Sequence, residues 1–236
     1  VCYFVIASIT IKSFMIAINI GKDTIDLMVS FMQALIPVLL ALLMAIGGIT
    51  TSAFFSPILL GSIGFVGTFI KNIILPLIFF SAVLEIVNNL SARIQVTKLA
   101  GLLKQSAALI LGFVLTAFVG VISIHGISAA TVDGVTIRSA KYAVDKFVPI
   151  VGSFLSDAMD TVVGCSLLLK NAIGAIGLIS IFILCLIPMI KILALIIIYK
   201  LSAALIEPLS DNSLVNCLNS MGNSLVLLFA TVTSIA

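Results

Sequence analysis

Between Asp26 and Lys71 the chain runs for 44 consecutive residues without a charged side chain. Comparable charge-free runs cover residues 105–132, 171–190 and 212–236. An α-helix rises about 1.5 Å per residue and the bilayer hydrocarbon is about 30 Å thick, so about 20 apolar residues are enough for one crossing. The pattern therefore predicts an all-α, polytopic transmembrane protein.

Composition excludes a water-soluble surface, because 62% of the residues are hydrophobic and only 9% are charged, whereas charged residues are about 25% of a soluble domain. We expect membrane lipid as a partner and no nucleic acid, since a net charge of +3 in such a chain bears on topology and lipid headgroups. The four cysteines show no CxxC spacing and His125 stands alone. We therefore expect no metal and no cofactor.

Polar breaks divide the chain into a first transmembrane span with its connector (1–26), a membrane repeat (27–124), a polar connector (125–146) and a second membrane repeat (147–236). The chain begins and ends inside apolar stretches, which suggests the membrane part of a longer protein. Within the first repeat, the apolar run from Ser56 to Leu90 is too long for one upright helix. We expect a broken or strongly tilted helix there.

The two predicted repeats share landmarks. Pro37, Gly61 and Pro76 recur as Pro149, Gly174 and Pro188, at offsets of 112 or 113 residues. This near-constant spacing favours a duplication, although coincidence stays an alternative in a sequence so rich in Pro, Gly and apolar residues.

The connectors that end the two repeats carry opposite charge. The first contains Arg93 and Lys98, and the second contains Glu207 and Asp211. Basic connectors stay on the cytoplasmic face, so opposite charge predicts opposite faces and an inverted repeat with broken or re-entrant helices.

Proline and glycine positions add two expectations. Proline removes a backbone donor and interrupts a helix, so candidate helix breaks lie at Pro37, Pro76, Pro149 and Pro188. Small residues let two helices approach closely, so candidate packing positions are Gly61, Gly64, Gly67, Gly174 and Gly177.

A polar stripe marks the start of the second repeat. Ser153, Ser156, Asp157 and Asp160 follow the i, i+3, i+4, i+7 spacing of one helix face. Carboxylates at membrane depth must face water or a partner, so the stripe is either a polar path or a contact with a cationic subunit. The alternative is an amphipathic helix at the membrane surface with its acids in water.

Single charges inside apolar runs leave two interpretations open. Glu85 either pairs with a basic group on a neighbouring helix or, like Lys71 and Lys191, extends to the headgroups on its own stem. We assign no catalytic residue, because nothing in the sequence sets up a serine and histidine pair and the two stripe acids share one helix.

Three stretches resemble the stage III sporulation protein AE family: residues 31–50 (FMQALIPVLLALLMAIGGIT), residues 137–174 and residues 199–211 (YKLSAALIEPLSD). The middle stretch, IRSAKYAVDKFVPIVGSFLSDAMDTVVGCSLLLKNAIG, is long and idiosyncratic. The resemblance implies a multi-pass protein of the mother-cell membrane around the forespore. It also implies partners, namely other stage III A proteins and a forespore membrane protein, within a channel that resembles secretion systems and supports late forespore development.

Two other functions remain open at this level. A stand-alone secondary transporter is favoured by the predicted inverted repeat and broken helices, and uptake by the chain alone in liposomes would indicate it. A structural anchor that recruits soluble partners would copurify with them and conduct nothing.

Replacing both acids of the polar stripe, Asp157→Asn with Asp160→Asn, removes the charges while keeping the side-chain shape. If the stripe faces a polar path or a cationic partner, we expect normal protein accumulation and a loss of spore yield. Spore counts at matched protein level measure this. Normal yield would instead identify a membrane-surface helix whose acids are solvated.

Overall fold

The structure is a computed structural model that describes the backbone of residues 2–45, 49–90, 96–147, 152–208 and 212–235. Side chains are described for residues 5–44, 56–89, 96–123, 161–162, 164–208 and 212–235.

The described residues are helical and contain no strand. The helices are α1 (Cys2–Ala45), α2 (Ile49–Phe69), a π-helical turn (Ile70–Ile74), α3 (Leu75–Leu90), α4 (Thr97–Phe147), α5 (Gly152–Ile206) and α6 (Asn212–Thr233). Five segments are long and apolar enough to cross a membrane: Val5–Met44, Ser56–Asn89, Thr97–Ser123, Gly164–Ile206 and Asn212–Thr233. The prediction of an all-α protein with transmembrane helices is confirmed.

Two predicted connectors turn out to be helical. α1 continues through residues 21–26, where a break was expected, and residues 125–146 lie within α4. Gly21 serves packing rather than a turn, since a Cβ atom there would lie 3.3 Å from Val232 Cγ2. Asp26 forms an ion pair with Lys71, so this charge is compatible with a continuing helix. No helix ends at residue 26 or 125, whereas α4 ends at Phe147, next to the boundary at 146; the domain division itself stays a prediction.

The helices also continue through prolines where breaks were predicted. Pro37 lies inside α1 and Pro188 inside α5; Pro149 falls outside the described residues. At Pro76 the backbone widens, because the Leu75 N–H bonds the Ile70 carbonyl in the preceding π-turn. A wider turn gives the proline ring room beside the carbonyl of the preceding helical turn. The span from Ser56 to Asn89 is thus modified at Pro76 but not ended.

The chain forms two compact units. Unit 1 comprises residues 1–29, 66–115 and 182–236, and unit 2 comprises residues 30–65 and 116–181. These units interleave along the chain and do not coincide with the predicted repeats, so the duplication stays a prediction.

The core of unit 1 forms around α6, which packs along α3. Fully buried side chains come from α1, the π-turn, α3, α5 and α6; the largest are Phe14, Ile25, Ile70, Ile74, Leu75, Ile78, Ile86, Ile192, Met221, Leu225, Leu228 and Val232. Phe14 stacks on Phe79 with ring centroids 6.3 Å apart. In lipid, where the hydrophobic effect does not drive helices together, such van der Waals packing holds the bundle.

Neighbouring side chains lie close to three of the five candidate glycines. Within unit 1, a Cβ atom at Gly67 would overlap Val29 Cγ2. Within unit 2, a Cβ atom at Gly177 would lie 2.8 Å from Leu35 Cδ2, and one at Gly64 would lie 3.4 Å from Gln33 Nε2. Gly61 and Gly174 have nothing within 4 Å of that position, so they make no such contact.

Both connectors of opposite charge border the same end of unit 1. The Ser213 hydroxyl at the start of α6 donates to the Asn89 carbonyl at the end of α3, at 2.7 Å. This contact contradicts the prediction of connectors on opposite faces. The physical reason is that charge sign alone does not determine the membrane face, since neighbouring connectors of opposite charge give the same sequence contrast as an inverted topology.

Gly67→Ala tests the close approach in unit 1, with Gly61→Ala as its matched control on the same helix. We expect Gly67→Ala to lower the free energy of unfolding in detergent by about 1 to 3 kcal/mol, because the β-branched Val29 has little freedom to move away. Gly61→Ala should be neutral or stabilising by up to about 1 kcal/mol, since alanine favours the helix. Equal stability of the two variants would contradict the packing.

Candidate functional site

A row of polar side chains on α3 faces two other helices of unit 1. Ser81, Glu85 and Asn88 follow the i, i+4, i+7 spacing that places side chains on one helix face. Each of them bonds a group on or next to α4. Polar side chains at membrane depth are costly unless they are paired, so this row is the candidate functional site.

At the centre of the row, Glu85 forms a triangle with α4 and α6. Lys104 Nζ lies 3.4 Å from Glu85 Oε1, and the Ser224 hydroxyl donates to Glu85 Oε2 at 3.0 Å. Lys104 Nζ is also 3.5 Å from Ser224 Oγ. Both carboxylate oxygens of Glu85 therefore have a donor. The Ser224 hydroxyl donates to Glu85 and accepts from Lys104.

The helix sequences explain why these three side chains meet. Lys104 lies between Ala100 and Ala107 on the inner face of α4, both of which are at most 1% exposed. Their small side chains leave room for the lysine stem among the helices. Ser224 is 1% exposed on the buried face of α6, one turn from Met221 and Leu228, and its small hydroxyl admits the Glu85 carboxylate.

The charges are half-buried, which sets the strength of the interaction. The side chain of Lys104 is 28% exposed and that of Glu85 is 18% exposed. Attraction between such groups is stronger than at a protein surface, while each charge alone would carry a large desolvation penalty. The main contribution of the pair to stability is therefore that neither Glu85 nor Lys104 is left as an unpaired, half-buried charge.

The same row also organises the beginning of α4. The Ser81 hydroxyl donates to the Ala100 carbonyl at 3.0 Å. Asn88 Oδ1 accepts from the Val96 N–H at 3.0 Å and from the Thr97 hydroxyl at 2.9 Å. Since the first N–H groups of a helix have no partner within it, Asn88 acts as a cap supplied by a different helix.

Two further polar contacts in unit 1 lie outside this row. Lys71 pairs with Asp26, as described above, and Lys200 Nζ donates to Asn223 Oδ1 at 2.7 Å. The stem of Lys200 packs against Gly222, where a Cβ atom would lie 3.1 Å from Lys200 Cγ. Lys71 and Lys200 therefore each have a polar partner within unit 1.

Sequence reasoning found only part of this site. Pairing of Glu85 with a basic residue of a neighbouring helix, one of two interpretations left open, is confirmed. Lys104, Ser224 and Asn88 were missed. The spacing of Ser81, Glu85 and Asn88 was a usable signal, whereas nothing in the sequence shows which residues of α4 and α6 face it.

The structure describes the backbone of the predicted polar stripe but not its side chains. Residues 153–160 lie in the first turns of α5, which begins at Gly152. The side chains of Ser153, Ser156, Asp157 and Asp160 fall outside the described part of the structure, so their functional role stays a prediction.

Chemically, the triangle is an acid and a base held together by a hydroxyl at the junction of three helices. Among the described residues, no group of three or more His, Cys, Asp or Glu side chains could hold a metal ion. Because these contacts join three helices, they fix the positions of α3, α4 and α6 relative to one another.

Comparison with known proteins gives two matches. A family described as Stage III sporulation protein AE matches residues 1–236. The curated stage III sporulation protein AE of Bacillus subtilis (strain 168) is 42% identical over 236 residues, which are all of this chain and 59% of that protein. The chain thus spans less than two thirds of the length of this relative. No solved structure matches.

Breaking the ion pair should be costly, and removing both charges should cost less. We expect Glu85→Gln and Lys104→Met each to lower the free energy of unfolding by about 1 to 3 kcal/mol, because each leaves a half-buried charge unpaired. In the double variant no charge remains, so its loss should be smaller than the sum of the two.

Unfolding of the purified protein in detergent measures these differences. Lys98→Met is the matched control, because Lys98 is an exposed lysine of the same helix; its effect should stay within about 0.5 kcal/mol. Additive losses in the double variant would show that the two charges do not interact.

Proposed function

The chain belongs to the stage III sporulation protein AE family, and on this premise we propose that it is an integral-membrane component of the channel complex that links mother cell and forespore. In this proposal it is a multi-pass protein of the mother-cell membrane around the forespore. Its partners are other stage III A proteins and a forespore membrane protein. Its role is to support late forespore development, without catalysis.

One observation supports the proposal: the family match extends over residues 1–236, and the described part of the chain contains five helices long and apolar enough to cross a membrane. The matched region is therefore the membrane part, which is the part that a channel component needs. Because the relative is longer than this chain, the complete protein's partners are part of the proposal.

The geometry of the described helices supports a scaffold more than a stand-alone transporter. Secondary transporters bind their substrates where transmembrane helices are interrupted near the midplane, yet α1 and α5 run through Pro37 and Pro188. The polar groups of the α3 row are bonded to groups of α6 and on or next to α4, which leaves them fewer sites for a solute. Helices held in this way suit a rigid element of a larger assembly.

Deletion of the gene for this protein in its own host tests the function. We expect cells to engulf the forespore, to fail in late forespore gene expression and to yield few heat-resistant spores. Reintroducing the intact gene should restore spore yield. A deletion strain that sporulates normally would overturn the proposal.

Partner capture separates the channel component from a transporter. We expect the tagged protein, solubilised from sporulating cells, to copurify with other stage III A proteins. As a control, the same purification is performed on vegetative cells that express the tagged protein. Isolation of the protein alone, together with solute uptake by liposomes that contain only this protein, would favour the transporter.

A further inference from the structure

The outer face of α6 carries a ladder of amides, defined here as Asn212, Asn216, Asn219 and Asn223. All four side chains are exposed, and their i, i+4, i+7, i+11 spacing places them on one face of the helix. α6 is nevertheless one of the helices able to cross a membrane. Its opposite face is buried in unit 1 by residues such as Met221 and Leu225.

This amide ladder differs from the rest of the outer surface of unit 1. α3, α4 and α5 expose many large apolar side chains, for example Phe80, Leu109 and Leu193, with single polar residues such as Gln105 and Lys191 among them. Lipid tails cover such side chains without cost. They cannot satisfy an amide, because hydrocarbon offers neither donors nor acceptors.

Among the described residues, one member of the ladder has a hydrogen-bond partner. Asn223 Oδ1 accepts from Lys200. Within the described part of the chain, the side chains of Asn216 and Asn219 make no hydrogen bond. At least two amides therefore need a partner that the described chain does not provide.

We propose that the amide ladder is the contact between two copies of this chain, related by a twofold axis along the membrane normal. An asparagine side chain both donates and accepts, so the ladder is complementary to itself. Copies inserted by the same route have the same orientation, and their α6 helices then run parallel with equally numbered residues facing each other. A twofold interface of this kind uses one surface patch twice.

Residues beyond the ladder favour the same contact. The exposed stripe of α6 continues through Val226, Ala230 and Thr233, at i+14, i+18 and i+21 from its first member. The small side chains of Ala230 and Thr233 allow two helix backbones to approach closely, and interhelical side-chain hydrogen bonds strengthen the association. The inference goes beyond the proposed function and does not rest on it.

Cross-linking through single cysteines tests the twofold geometry. The full chain is produced in membranes with Cys2, Cys165, Cys185 and Cys217 replaced by alanine, and one cysteine is introduced at Asn216 or at Asn219. Mild oxidation should yield disulfide-linked dimers at both positions. Phe80→Cys, on an exposed apolar face of the same unit, is the matched control. Cross-linking at the ladder no greater than at this control would overturn the proposal.

Association in liposomes supplies an independent measurement. Subunit counting by single-molecule photobleaching, over a range of protein-to-lipid ratios, gives the dimer dissociation constant. Asn216→Leu with Asn219→Leu should raise that constant tenfold or more, because the interhelical hydrogen bonds are lost. Asn216→Gln with Asn219→Gln keeps the amides and should restore part of the affinity. An unchanged constant in the leucine variant would place lipid or a different protein on the ladder and would overturn the proposal.

Discussion

The absence of water in the bilayer interior is the constraint on which the structure depends. Each backbone N–H and C=O group at that depth needs a partner from the chain itself, and a helix supplies it locally. This requirement explains why helices continue where sequence signals suggest an end. At Pro76 the chain does not leave the helix; one π-turn re-pairs the backbone through the Leu75 to Ile70 bond, and the span goes on.

Helix formation alone does not determine how helices pack, because their apolar faces are as compatible with lipid as with one another. Specific polar contacts define the arrangement in unit 1. Ser213 binds the Asn89 carbonyl at one end of the α3 and α6 contact, and Ser224 binds Glu85 further along α6. Two hydrogen bonds at different places along α3 and α6 restrict how these helices slide and rotate against each other. Each polar contact therefore fixes the geometry of the helix pair as well as stabilising it.

The sequence was sufficient for the helical class and the membrane spans, because both depend on local composition. It failed where the answer depends on a distant residue. Asp26 was taken as part of a connector, but its partner is Lys71, 45 residues away, and pairing lets the helix continue. The two connectors were placed on opposite faces by charge alone, whereas the Ser213 to Asn89 contact places their borders together. The partners of Glu85 likewise depend on which faces of α4 and α6 turn inward, and no local pattern determines that.

α6 shows how these constraints combine. It is the least apolar of the five candidate spans and yet the most buried, with Ser224 and Thr231 on its inner face and the amide ladder on its outer face. A helix of this composition gains less from lipid than its neighbours do. Its stability in the membrane must therefore come from protein contacts, chiefly with α3, which precedes it in the chain. The order of the segments fits this dependence, because the acid and the base that bind Ser224 are synthesised before α6 enters the membrane. α6 thus meets partners that precede it in the chain, and its exposed amides are available for a contact outside the chain.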